Sequence, residues 1–180
     1  MGVERDLVHV DEDGRVHAGR GPRGTPCFWP YTQSWRHLAR QRGEALVDPV
    51  SAVARATVDR VTRALDVAGW TIEPSEGGVH VLWGRFLPHR MTTHAALGAA
   101  EERDHVRLWD FGGITVLAAH HEVRAEGGGH RVTSWERARR EVAAALLPSG
   151  LDAHPEGPVV TLPGVRRLPW DGRIWRFSSS

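Results

Sequence analysis

The 180-residue chain reads as an α+β protein, with an antiparallel sheet of about four to six strands and two main helices packed on one face. Three observations carry that reading. Short alternating apolar and polar runs, separated by Gly, Pro and Asp, cluster between residues 70 and 124. Two segments, 49–68 and 134–147, repeat apolar residues at spacings of three and four. The strands and helices are grouped instead of alternating, which does not favour the βαβ units of a parallel sheet.

Residues 6–18 predict a β-hairpin, two alternating runs around the turn Asp11-Glu12-Asp13-Gly14. Gly and Pro dominate 19–26, which reads as a loop, and Cys27-Phe28-Trp29-Pro30-Tyr31 is an aromatic plug. A short helix is expected next, capped by Thr32 or Ser34, with Trp35 and Leu38 on one face and Gly43 at its end. The segment 49–68 predicts the best helix, with Asp48 as N-cap, Pro49 in its first position and Gly69 just past its end. Its inner face would be Val50, Val53, Ala54, Val58, Val61, Ala64, Leu65 and Ala68.

Strands are then expected at 70–73, 79–86, 105–111 and 114–124, the last being the longest, with 88–100 a loop holding one helical turn. A second helix covers 134–147, with Thr133 and Glu136 as a capping box and Trp135, Ala138, Val142, Ala145 and Leu146 inward. Arg137 and Glu141 would form an outward i,i+4 pair. The tail predicts a strand pair built on Val159–Leu162 and Arg173–Phe177, followed by a frayed Ser178–Ser180. The expected organisation is one domain over 1–180, with an N-terminal hairpin and loop in 1–26 and the strand pair and tail in 151–180.

Composition excludes several classes of function. The 23 basic and 22 acidic residues leave a net charge of +1, which removes the long-range steering of a general nucleic-acid binder. Every basic residue is arginine, the mark of coding bias in a GC-rich genome or of an arginine-built phosphate site. Without lysine there is no P-loop, and no G-x-S-x-G elbow is present. The single cysteine, Cys27, forms no internal disulfide. No apolar run spans a bilayer, and the first residues lack an apolar signal region, so the expected location is the cytoplasm.

The strongest chemical pattern is Ala119-His120-His121-Glu122, with His130 beyond a glycine turn. On a strand, His120 and Glu122 share one face and His121 takes the other. His120, Glu122 and His130 are therefore the candidate ligands of a divalent metal with an open position for water. The spacing is not that of a helical H-E-x-x-H motif, and the competing reading is a strand end where polar residues emerge. His105, Arg107 and His121 are candidate contacts for a small anionic ligand, if the two central strands pair; ordinary cross-strand charge pairing competes. The tail residues Arg166, Arg167, Trp170, Arg173, Trp175 and Arg176 form an Arg–Trp strip that suits either packing or partner docking.

Residues 60–147 resemble the C-terminal domain of LssY-type proteins. The matching pieces are Ala68-Gly69-Trp70, Gly84-Arg85, Arg103-Asp104-His105-Val106-Arg107-Leu108-Trp109, His130-Arg131-Val132 and Glu136-Arg137-Ala138-Arg139. The resemblance covers about half the chain and implies an α+β domain, with no catalytic residue to carry over. Such domains often follow membrane-bound phosphatase-like segments.

With no nucleophile motif and no cofactor loop, the expected function is a small binding or accessory domain for an unknown protein or small anionic ligand. The alternative is a divalent-metal-dependent hydrolase of an anionic substrate, working through His120, Glu122 and His130.

Overall fold

The computed structural model describes residues 7–34, 46–74, 80–84, 88–160 and 170–179. Fourteen strands and two α-helices lie within them. The strands are β1 (Val8–Val10), β2 (Val16–Ala18), β3 (Cys27–Ser34), β4 (Leu46–Pro49), β5 (Ala52–Ala54), β6 (Thr71–Pro74) and β7 (His80–Gly84), then β8 (Pro88–Arg90), β9 (Thr93–Ala99), β10 (Glu102–Asp110), β11 (Thr115–Arg124), β12 (His130–Ser134), β13 (Asp152–His154) and β14 (Trp175–Ser178). The helices are α1 (Val58–Val67) and α2 (Trp135–Leu146).

The larger sheet runs β13-β14-β5-β11-β10-β9-β6, with β12 also on β11. All its pairings are antiparallel except β14 with β5. Both helices cover one face of it, as the α+β reading requires. Val61, Ala64 and Leu65 of α1 and Ala138, Val142, Ala145 and Leu146 of α2 pack on Val106, Leu108, Leu117 and Ala119. The opposite face meets a second sheet, β2-β1-β3-β7-β8 with β4 on β3. There Val8, Val10, Phe28 and Leu82 pack on Val53, Trp109, Val116 and Ala118. Central strands β10 and β11 are thus buried on both faces, and side-chain alternation sends successive residues into different layers.

The helix expected at 49–68 divides. Asp48 and Pro49 end β4, Ala52–Ala54 form β5, and the helix begins at Val58 with Thr57 as its cap. The apolar residues of this stretch fit helical spacing, but Ala52, Val53 and Ala54 are all buried. A strand buried on both faces shows no alternation and mimics a helix face. Among the described residues β4 pairs only with β3, at a sheet edge, where Pro49 is tolerated. Gly69 does follow the helix end, at φ +90°.

Residues 88–100, expected as a loop, carry β8 and β9. Thr32 and Ser34, expected as helix caps, lie on β3; the rest of that helix falls outside the described residues. Ser134, not Thr133, caps α2, accepting from the Arg137 backbone N–H, while Glu136 turns to Arg139 and the Asp171 backbone. Arg137 pairs with Glu102 and not Glu141.

The closing strand pair is β13 with β14; Val159 makes only an isolated bridge to Arg173. A buried Arg139 fastens this tail to α2. It donates to both Asp171 carboxylate oxygens and to the Arg173 carbonyl, and its guanidinium lies 4.2 Å from the Trp175 ring centre. Trp170 packs edge-on against Trp135. Trp170 and Trp175 are therefore packing residues, while Arg166 and Arg167 of the expected strip lie outside the described residues.

Removing either cap should show where the helices start. Thr57→Ala and Ser134→Ala should each cost about 1 kcal/mol in urea unfolding. A neutral Thr57→Ala would contradict a helix beginning at Val58.

Candidate metal centre

The two sheets share a layer that is apolar at one end and ionic at the other. Register places the ionic end. His105 lies opposite His120 across β10 and β11, and Arg107 lies opposite His94 across β10 and β9. Arg103, opposite Glu122, shares their face. β4 then brings Asp48, fully buried, onto this surface from the second sheet.

Asp48 is the hub. One carboxylate oxygen accepts from the Arg107 guanidinium. The other lies 3.1 Å from His120 Nδ1 and accepts from Trp135 Nε1 at 3.3 Å. His120 Nε2 lies 2.9 Å from Glu122 Oε2, and Glu122 Oε1 accepts from Arg103 Nε at 2.6 Å. The chain Arg107–Asp48–His120–Glu122–Arg103 thus alternates in charge across the layer.

Burial alone would raise the Asp48 carboxyl. The Arg107 charge and His120 outweigh it and hold the group far below the usual carboxylate range. Glu122 behaves alike: burial opposes ionisation, but hydrogen bonds with His120 and Arg103 prevail. Burial also disfavours charge on His120, yet Asp48 and Glu122 raise its pKa above the ordinary histidine value. His105 lacks a carboxylate hydrogen bond. Burial and then the Arg107 and His120 charges push it well below the ordinary value, leaving a neutral imidazole.

Neutral imidazole is the form that ligates metals. His105 Nδ1 is buried without a hydrogen-bond partner, and the His105 and His120 ring centres are 5.2 Å apart. The ligand atoms of His105, His120 and Glu122 all lie within 4.8 Å of one another. Among the described residues these form the one group of three able to hold a metal ion. Two imidazoles and one carboxylate suit zinc or another divalent first-row metal and fill three of its four tetrahedral positions. Asp48 sits where an outer carboxylate fixes a ligating histidine, binding Nδ1 so that Nε2 faces the site.

Two residues of the expected sets stand outside this group of three. His130 is exposed on β12; its Nε2 lies 3.2 Å from the Ala100 carbonyl and its Nδ1 3.9 Å from Glu122. His121 occupies the helix-side face of β11, between Asp104 at 3.0 Å and Glu102 at 3.2 Å. Arg107 lies in the site, where its Nη1 donates to Asp48 while its buried Nε has no partner among the described residues. Asp48 escaped the sequence reading because an acid before Pro resembles a helix cap; the apolar residues flanking it, Leu46-Val47 and Val50, were the available signal.

Farther along the layer, His94 Nε2 lies 2.5 Å from Glu73, and His80 of β7 keeps a buried Nδ1 without a partner. Burial, reinforced by Arg107, lowers His80 to about 4. No family model, curated protein or solved structure matches the chain.

Asp48→Ala should destabilise the fold by about 3–5 kcal/mol in urea, because Arg107 would remain buried and unpaired. A cost under ~1 kcal/mol would remove Asp48 from its place as hub. The pH response should depend on His80. As pH falls from about 6.5 to 4, the unfolded chain takes up a proton that folded His80 refuses, so stability drops. His120, with its raised pKa, acts in the opposite direction: it stabilises below about 6.5 and loses that effect as pH rises through its folded value. In thermal unfolding, His80→Gln should flatten the acid-side fall; a curve parallel to wild type would contradict this.

Proposed function

We propose that the chain is a divalent-metal-dependent hydrolase of small anionic substrates, with His105, His120 and Glu122 as metal ligands. The observation that carries this is the buried grouping of two imidazoles and a carboxylate within ligating reach, with Asp48 behind His120. A bound divalent ion would lower the pKa of a water at its open position and supply a nucleophile near neutral pH. His105 takes the ligand place that the sequence reading gave to His130.

The residues around the set have separate tasks. Asp48 orients His120. Arg103 holds Glu122 and is the more exposed of the two site arginines, at 27% against 9% for Arg107. It is therefore the cation best placed to meet an anionic substrate. Arg107 balances the buried Asp48 charge.

A second reading, a binding module without turnover, is favoured by one observation. Both His120 nitrogens are already near carboxylates, so a metal must open the contact between Nε2 and Glu122. A metal held this way could order the layer for ligand capture alone.

Titration of metal-free protein with Zn²⁺ by calorimetry should give one site per chain. His105→Ala and His120→Ala should each weaken it by about tenfold or more, and His130→Ala should leave it nearly unchanged. The zinc form should hydrolyse p-nitrophenyl phosphate or p-nitrophenyl acetate, losing activity with chelator and in Arg103→Ala. Stoichiometric zinc without turnover would select the binding module. Absence of zinc binding, or full affinity in His120→Ala, would defeat both readings.

A further inference from the structure

A second polar site lies away from the metal ligands, where the N-terminal hairpin meets the C-terminal strand. A cavity of about 160 Å³ is lined by Arg15, Val16, His17, Glu156, Gly157 and Arg176. Strand alternation builds its floor. Phe177 of β14 enters the helix-side core, and Ile174 enters the layer between the sheets. Arg176, next to Phe177, therefore projects on the hairpin side. Gly157 forms a wall at φ +132°, and its backbone passes so close to the Ile174 carbonyl that a Cβ there would overlap it.

Arg176 is poorly satisfied in this place. Its side chain is only 13% exposed, yet its Nε–H is buried with no acceptor among the described residues. Its nearest carboxylate, Glu156, lies 3.7 Å from the terminal nitrogen, too far for a hydrogen bond, and is itself 60% exposed. The terminal nitrogen makes no hydrogen bond to Glu156, so an acceptor in the cavity at about 2.7–2.9 Å would be favoured there. Arg15 adds a second guanidinium, and His17 is held by Asp11 at 2.7 Å. Two arginines against one carboxylate leave the lining positive. The volume equals the share of about five waters at ~30 Å³ each, enough for a five-atom oxyanion.

We propose that this cavity binds a small oxyanion of phosphate size, with Arg176 and Arg15 as donors and Glu156 as a carboxylate that competes for Arg176. Guanidinium recognises phosphate through paired, charge-assisted hydrogen bonds. This part of the Arg–Trp strip thereby gains a use apart from tail packing. The site is independent of the metal reading and should work in metal-free protein.

The test is a titration of the full chain with inorganic phosphate in chelator, followed by ³¹P NMR and calorimetry at constant ionic strength. Wild type should bind phosphate saturably at millimolar or lower concentration. Arg15→Ala, a surface change, should weaken binding by about tenfold, the loss of a charge-assisted contact. Glu156→Gln should tighten it, because the competing carboxylate is gone. Arg176→Lys should weaken it while thermal unfolding reports whether the strand is intact. His105→Ala should have no effect. The proposal is overturned if wild type shows no saturable binding by roughly 10 mM, or if Arg15→Ala and Glu156→Gln both leave affinity unchanged.

Discussion

The architecture of the inter-sheet layer depends on a single buried carboxylate. Asp48 has no exposed surface, and an ion so placed must be matched by partners or the fold loses several kcal/mol. Its partners come from three directions. Arg107 rises from β10, His120 from β11 and the Trp135 indole from the start of α2. One side chain of the smaller sheet therefore fixes the position of two strands and a helix. The requirement to match its charge fixes how the sheets are set, since any shift would leave Arg107 or Asp48 unpaired in a medium of low dielectric.

Strands β10 and β11 turn that constraint into a site. On the helix side they present Val106, Leu108, Leu117 and Ala119, an ordinary core. On the other side Trp109, Val116 and Ala118 are apolar, while His105, Arg107, His120 and Glu122 are not. The apolar end supplies the burial that brings the sheets together. That same burial keeps His105 neutral, and Asp48 with Glu122 keeps His120 paired. Two histidines facing each other across one ladder thus have opposite electrostatic characters, one open for a ligand and one held in position.

The fold class was legible because α1, α2 and the strands around β10 and β11 carry clear local patterns. Of the second sheet, the hairpin β1–β2 and the strand β7 were legible, but β3, β4 and β8 were not, nor was the pairing that joins them into a sheet of its own. The stretch 49–57 misled because burial on both faces removes alternation. At the site, alternation along β11 is enough to separate His120 and Glu122 from His121. His105 joined the cluster only through the β10–β11 register, which a sequence does not state. Asp48 was farther from view, since its partners are 59, 72 and 87 residues away in sequence for Arg107, His120 and Trp135. Long-range electrostatic matching leaves no periodic trace.

The hydrolase reading stands or falls on whether this matched layer holds a metal in the place assigned to it. X-ray absorption at the zinc edge of the loaded protein measures that directly. Two imidazoles and one carboxylate around zinc at ~2.0–2.2 Å, with the imidazole count falling to one in His105→Ala, is the result expected of the site. A shell of water and carboxylate oxygens, or a spectrum unaltered by His105→Ala, would contradict it.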